Sequence, residues 1–165
     1  MTKTKLTLGE IYTLEAELSG SINQQTGEKV MKGLLNQELS LLQKYWLTDL
    51  AGDLARHKQT VDKIRNELIH LHGKPTENGG MSIAVSIDKL DDKGVPVTDV
   101  EGNIVKVLNP KFQEFNQEME NLFAETRDIE HHAFRIQDFD FKTDETYGVF
   151  FKLLRTPKER EPIID

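Results

Sequence analysis

The chain contains no cysteine. Disulfides, thiolate zinc sites and cysteine nucleophiles are therefore excluded. Long apolar runs are missing too. No stretch approaches the roughly 18 residues that a bilayer-spanning helix needs. The first residues, Met1-Thr2-Lys3-Thr4-Lys5-Leu6-Thr7-Leu8-Gly9, lack the apolar stretch of a secretory signal. These absences point to an intracellular protein with no membrane partner. Bases are in deficit: 21 Lys and Arg stand against 28 Asp and Glu, for a net charge of −7. Non-specific nucleic-acid binding depends on clustered cations, so this balance argues against it. Aromatic residues are sparse at 7%, with a single Trp, and apolar residues reach only 37%. A 165-residue chain of this composition can bury one lean core.

What is present is mostly helical periodicity. Thr7 followed by Glu10 forms a capping box, in which each residue satisfies a free backbone N–H of the other. Leu8, Ile11, Leu14 and Leu18 then recur at helical spacing, and Gly20 supplies a stop. This predicts a helix over 8–19. A polar loop, 21–27, follows. A second helix is expected from 26–28 to Gly73, about 45 residues or roughly 68 Å if straight, with Gly33 and Gly52 able to bend or interrupt it. In its second half, Leu54, His57, Val61, Ile64, Leu68 and Leu71 make a narrow coiled-coil-like seam. Its first half, from Val30 to Leu50, carries apolar residues over a much wider face, and such a face needs more than one neighbour.

The period changes after Gly73. Ile83, Val85 and Ile87 alternate as in a strand. Asp91-Asp92-Lys93-Gly94 and Asp99 to Asn103 read as turns. Val95-Pro96-Val97 can form only an edge strand, because Pro96 has no N–H. Residues 82–108 thus form a small hairpin or meander. Asn109-Pro110 starts a third helix, Asn as cap and Pro in the first turn. Phe112, Phe115, Met119, Leu122, Thr126 and Ile129 repeat the seam spacing. Residues 113–130 carry six acids and one base, whereas 56–65 carry four bases and one acid. Complementary flanks of this kind select partner and orientation.

The expected fold is therefore α+β, mainly α. A long antiparallel helical hairpin would carry a small β-hairpin at its tip and short flanking helices. Residues 129–141 read as extended, with a bulge near Asp138. Thr143 caps a last helix through Tyr147, Phe150, Phe151 and Leu154, ended by Pro157. A single elongated domain would span 1–156, with a flexible tail over 157–165. No internal repeat beyond the heptads is evident.

Chemistry is thinly signalled. Glu67-x-x-His70, with His72 beside it, has the spacing of a di-iron helix pair, and Asp128-x-x-His131 echoes it. Glu67, His70 and His72 are the metal-ligand candidates, and the simpler reading makes His70 and His72 cations at a helix C-terminus. No resident cofactor or metal is expected. His57, on the apolar seam, is either a register or pH device or a core histidine with one hydrogen bond. The acidic turns fail the EF-hand spacing, since Lys89 and Val97 stand five residues before Gly94 and Gly102. No phosphate loop and no nucleophile elbow occur. Leu42, Tyr45, Trp46 and Leu50 are the candidate interface anchors, because Trp and Tyr dominate interface energetics; Tyr45 and Trp46 read equally well as core, and the width of the apolar face beside them favours the interface.

The run Asp91-Asp92-Lys93-Gly94-x-Pro96-x-x-Asp99-x-Glu101-Gly102-Asn103, then Asn109-Pro110-Lys111 and Phe115-Asn116-x-Glu118-x-x-x-Leu122, resembles small bacteriophage-encoded proteins of unassigned function. The likeness covers residues 50–141. It implies a virion, assembly or host-takeover context, hence a place in the host cytoplasm or the virion. The helix–β-hairpin–helix order is also similar to prefoldin-type chaperone subunits, although here the helices are unequal and both ends carry extra segments. Neither resemblance transfers a catalytic residue. The expectation is a non-enzymatic interaction or assembly component, partnered by protein, as a homo-oligomer or within a larger assembly. The alternatives are an intracellular inhibitor or sponge that binds a host protein or small ligand, and a metal-dependent enzyme using Glu67, His70 and His72.

Overall fold

The computed structural model describes residues 1–23, 25–139 and 147–155. In chain order these form β1 (Thr2–Thr7), α1 (Leu8–Ser19), β2 (Ser21–Ile22), β3 (Lys29–Met31), a 3-10 turn (Leu34–Asn36) and α2 (Leu41–His72). Next come β4 (Lys74–Pro75), β5 (Met81–Ser82), β6 (Ser86–Asp88), β7 (Lys106–Leu108), α3 (Pro110–Ala124) and β8 (Thr126–His131). β9 (Phe134–Arg135), 3-10 turns at Ile136–Asp138 and Phe150–Leu153, and β10 (Leu154–Arg155) follow. The chain divides into two compact units, one of residues 1–60 with those from 124 onward, the other of 61–123.

The first unit holds most of the core. β1 and β8 pair antiparallel from Thr2↔His131 to Thr7↔Thr126. One face of this ribbon carries Leu6, Ile129 and His131, all buried, and the other carries Lys3 opposite Glu130 and Lys5 opposite Asp128. Period-2 alternation of this kind is what a half-covered antiparallel sheet demands. α1 begins at the expected capping box: Thr7 N donates to Glu10 Oε2 at 2.9 Å and Glu10 N donates to Thr7 Oγ1 at 3.1 Å. Its stripe of Leu8, Ile11, Leu14 and Leu18 is buried. At full burial, each such Leu or Ile contributes about 1.5–3 kcal/mol.

Glu17 is the one acidic side chain among the buried residues described. Its carboxyl accepts from Val149 N at 3.0 Å and Phe150 N at 2.7 Å. It thereby holds the segment 147–155, which inserts Tyr147, Phe150 and Leu153 into the core. Tyr147 Oη donates to Lys32 O at 2.8 Å, and Lys152 pairs with Glu10. That pairing, with the Thr7 amide, holds the Glu10 carboxyl below its usual range.

The second unit is differently made. Its α2 residues, 61–72, lead into β4 and β5, joined by a turn closed by Thr76 and Gly80. β6 pairs with β7, and beyond them the chain forms two near-identical turns eight residues apart. Asp91 Oδ1 accepts from Lys93 N and Val95 N at 2.8 and 2.9 Å. Asp99 Oδ1 accepts from Glu101 N and Asn103 N, both at 2.9 Å. The backbones of Lys89, Val97 and Val105 close a hydrogen-bonded ring: Lys89 N donates to Val105 O, Val105 N to Val97 O, and Val97 N to Lys89 O, at 2.8, 2.9 and 2.8 Å. This is an internal repeat that heptad reading misses. Asn109, just before α3, is tied to the residues that precede β6: its N–H donates to Val85 O and its Nδ2 to Ala84 O.

Several expectations are overturned. The fold is α+β, but its many short ladders replace the expected mainly α hairpin. The two seams do not zip together. Of the second unit's seam residues only Val61 and Met119 are buried, and Leu71 is 72% exposed. α3 ends at Ala124 instead of 129, because Thr126 to Ile129 are taken by the pairing of β8 with β1. The second helix starts at Leu41, not at 26–28. Ser40 and Gln43 form its capping box, Gln43 N donating to Ser40 Oγ and Ser40 N to Gln43 Oε1. Upstream, Gly33 passes so close to the end of α1 that a Cβ there would collide with Gly20 N and Leu18 O, and a continuous helix would break that approach. Gly52 does not interrupt α2. Phe150–Leu153 is one 3-10 turn leading into β10, not an α-helix. The Thr143 cap, Pro157 and the tail over 157–165 lie outside the described residues.

Candidate functional site

In the first unit, α2 buries Leu47, Leu50 and Leu54. At 100° per residue Gly52 lies about 160° from both Leu50 and Leu54, so the helix presents a second, outward face. Leu41 is 90% exposed on that side, Leu42 63% and Tyr45 61%. Trp46 is half-buried beside them. Its ring stacks on His132, with centroids 4.8 Å apart and planes 6° apart, and meets Tyr45 edge-on at 4.9 Å. Trp46 Nε1 is shielded from solvent and has no hydrogen-bond partner among the described residues. Of the expected anchors, then, Leu42 and Tyr45 are open to solvent, Trp46 is partly so, and Leu50, 3% exposed, belongs to the core.

Along the same helix the outward surface continues through Tyr45, Thr48, Asp49, Gly52, Asp53 and Arg56. A groove that shares Asp53 and Arg56 with it continues between α2 and β8 past His57, Thr60, Asp128, Ile129 and Glu130. Acids outnumber bases along both. Arg56 pairs with Asp53 one turn earlier on the exposed surface, a contact of little energetic weight. Lys3 binds Glu130 at 2.8 Å, and this hydrogen bond and charge hold the Glu130 carboxyl below its usual range. His57 lines the groove half-buried instead of sitting in a sealed core. None of the described hydrogen bonds joins it to a hydroxyl nucleophile or to a carboxylate, so no nucleophile–base–orienter chain is assembled here.

The metal-ligand candidates are dispersed. Glu67 and His70 are exposed. His72 turns instead to α3, with Nε2 3.2 Å from Glu118 Oε2 and Nδ1 3.5 Å from Glu114 Oε2. Among the described residues, no group of three or more His, Asp or Glu side chains is placed to hold a metal ion. His131 is buried in the first unit. Its Nδ1 donates to His132 O at 2.7 Å, and its Nε2 accepts from Thr4 Oγ1 at 2.9 Å. Burial pushes its pKa below the ordinary histidine value, so this ring is a satisfied neutral group on the sheet's inner face.

Sequence reasoning missed the groove because its lining residues are polar and match no motif. The start of the exposed face was readable in Ser40-Leu41-Leu42-Gln43, where a capping box places two leucines in the first turn. The chain matches no protein-family model, no curated protein and no solved structure. Among the described residues, no helix is long and apolar enough to cross a membrane.

Proposed function

We propose that the protein is a non-enzymatic interaction or assembly component and that the outward face of α2 in the first unit is its contact surface. The observation that carries this reading is the contiguous exposure of Leu41, Leu42 and Tyr45, with Trp46 held beside them. Large apolar side chains gathered at one end of a helix, rimmed by charge, fit an interface anchor. The acidic surface and groove that continue from this patch favour a protein partner over nucleic acid.

A photo-crosslinking residue at Tyr45 tests the reading, with one at the exposed Lys29 of β3 as control. Adducts are expected from position 45 and not from 29, both in producing cells and in the purified protein. Absence of adducts at 45 in both settings, or equal yield at 29, would contradict it.

A further inference from the structure

We infer that the occupant of this face is a second copy of the same chain, its α2 crossing the first antiparallel at Gly52. The inference rests on the reading of the α2 face as a contact surface and names the partner.

Gly52 lies inside α2 with open space where a Cβ would stand. Its φ is not in the left-handed region, and no neighbouring backbone crowds it as Gly20 crowds Gly33. Within the monomer it is therefore unfavourable relative to alanine, with no local return. A mid-helix glycine facing outward permits another backbone to come closer than the usual 8–10 Å between helix axes.

Of the three charges around Gly52, Asp49 and Arg56 are complementary across such a crossing, and the third, Asp53, pairs with Arg56 within one copy. Asp49 stands three residues before Gly52 and Arg56 four after, on the same face. A two-fold axis through an antiparallel crossing sets each position after Gly52 against the matching position before it. Arg56 of each copy then reaches the partner's Thr48 and Asp49, and two ion pairs form. A parallel crossing would set Arg56 on Arg56 and Asp49 on Asp49, so charge selects the antiparallel arrangement. Tyr45, seven residues before Gly52, falls over the partner's Gln59, so an exposed aromatic ring brackets the crossing on each side. The Arg56–Asp53 pair within one copy lies on the surface and exchanges partners at little cost.

Sedimentation velocity on the full chain, from low to high micromolar concentration, tests this. The wild type is expected to pass from monomer to dimer. Gly52→Leu is expected to abolish the dimer. Gly52→Ala, which leaves the monomer's helix at least as stable, is expected to weaken association by about tenfold, the equivalent of 1.4 kcal/mol. Arg56→Asp and Asp49→Arg should each yield monomer, and the double reversal should restore the dimer. Thermal melts by circular dichroism confirm that each variant is folded. A wild type that stays monomeric throughout overturns the second-copy assignment. The contact-surface reading then stands or falls on whether position 45 crosslinks to a different protein. A dimer indifferent to Gly52→Leu and to both charge reversals overturns the assignment and, if position 45 forms no adducts, the surface as well.

Discussion

The two units of this chain are stabilised by different means. Among the described residues, every buried apolar side chain except Val61 and Met119 belongs to the first unit. There, leucines of α1 and α2 are buried, and so is an aromatic cluster of Phe134, Phe139 and Phe150, whose ring centroids lie 5.1–5.8 Å apart. The second unit leaves Leu90, Val95, Val100 and Leu108 exposed. Its order comes from side-chain acceptors in repeated turns and from the closed ring of Lys89, Val97 and Val105. Hydrogen bonds between groups that water could serve instead contribute little net stability. Apolar burial contributes more. The difference between the units therefore says where the chain is held firmly and where it opens first.

The largest expected effect lies in the first unit. Phe150→Ala should cost about 3–5 kcal/mol in urea denaturation, whereas Val100→Ala, at a fully exposed position, should stay within about 0.5 kcal/mol. Equal losses would erase the distinction. Glu17→Ala strands the amides of Val149 and Phe150 and should cost about 3 kcal/mol, and Glu17→Gln, which keeps an acceptor, should cost less. Both are read from the urea midpoint.

A smaller effect follows from His131. Its folded pKa lies below its unfolded value, so the unfolded chain takes up more protons in the interval between them. Its contribution is fully present above about pH 6.5 and declines as pH falls through that value toward the lowered one. Melting temperatures from pH 8 to 5 should fall in the wild type and flatten in His131→Gln by comparison. The smallest effect is expected at Asp99, whose carboxyl is held below its usual range chiefly by the Asn103 amide. Asp99→Ala should leave the global melt unchanged and speed hydrogen exchange at Glu101 and Asn103, the two amides its carboxylate accepts from.

How much of this was legible depended on how local each cause is. The α1 boundaries follow from Thr7, Glu10 and Gly20, all within the helix or next to it. The turns at Asp91 and Asp99 were readable as turns for the same reason. Their repetition was also in view, as Asp-x-x-Gly at a spacing of eight, but it only acquires meaning once the backbone ring joins the copies. The sheet of β1 and β8 joins residues up to 129 positions apart, and no window on the sequence reports such a pairing. The hairpin expectation failed because matching periods and opposite charges make zipping feasible without requiring it. Six residues that could have lengthened α3 instead complete a ribbon on the larger core. At the candidate site, Leu42 and Tyr45 were readable only as members of one wide apolar face. Leu50 could not be separated from them until the phase of α2 against the core was known. Gly52 read as a breaker, since a glycine open to solvent in mid-helix has no signature of its own.

Residue-resolved native-state hydrogen exchange tests the contrast most directly. The account predicts that amides paired between β1 and β8 exchange only at free energies near global unfolding. Amides of Lys89, Val97 and Val105 should exchange through a local opening of much lower free energy. Uniform protection across 1–139, or stronger protection in the ring than in the ribbon, would contradict the division into a core-anchored unit and a turn-anchored one.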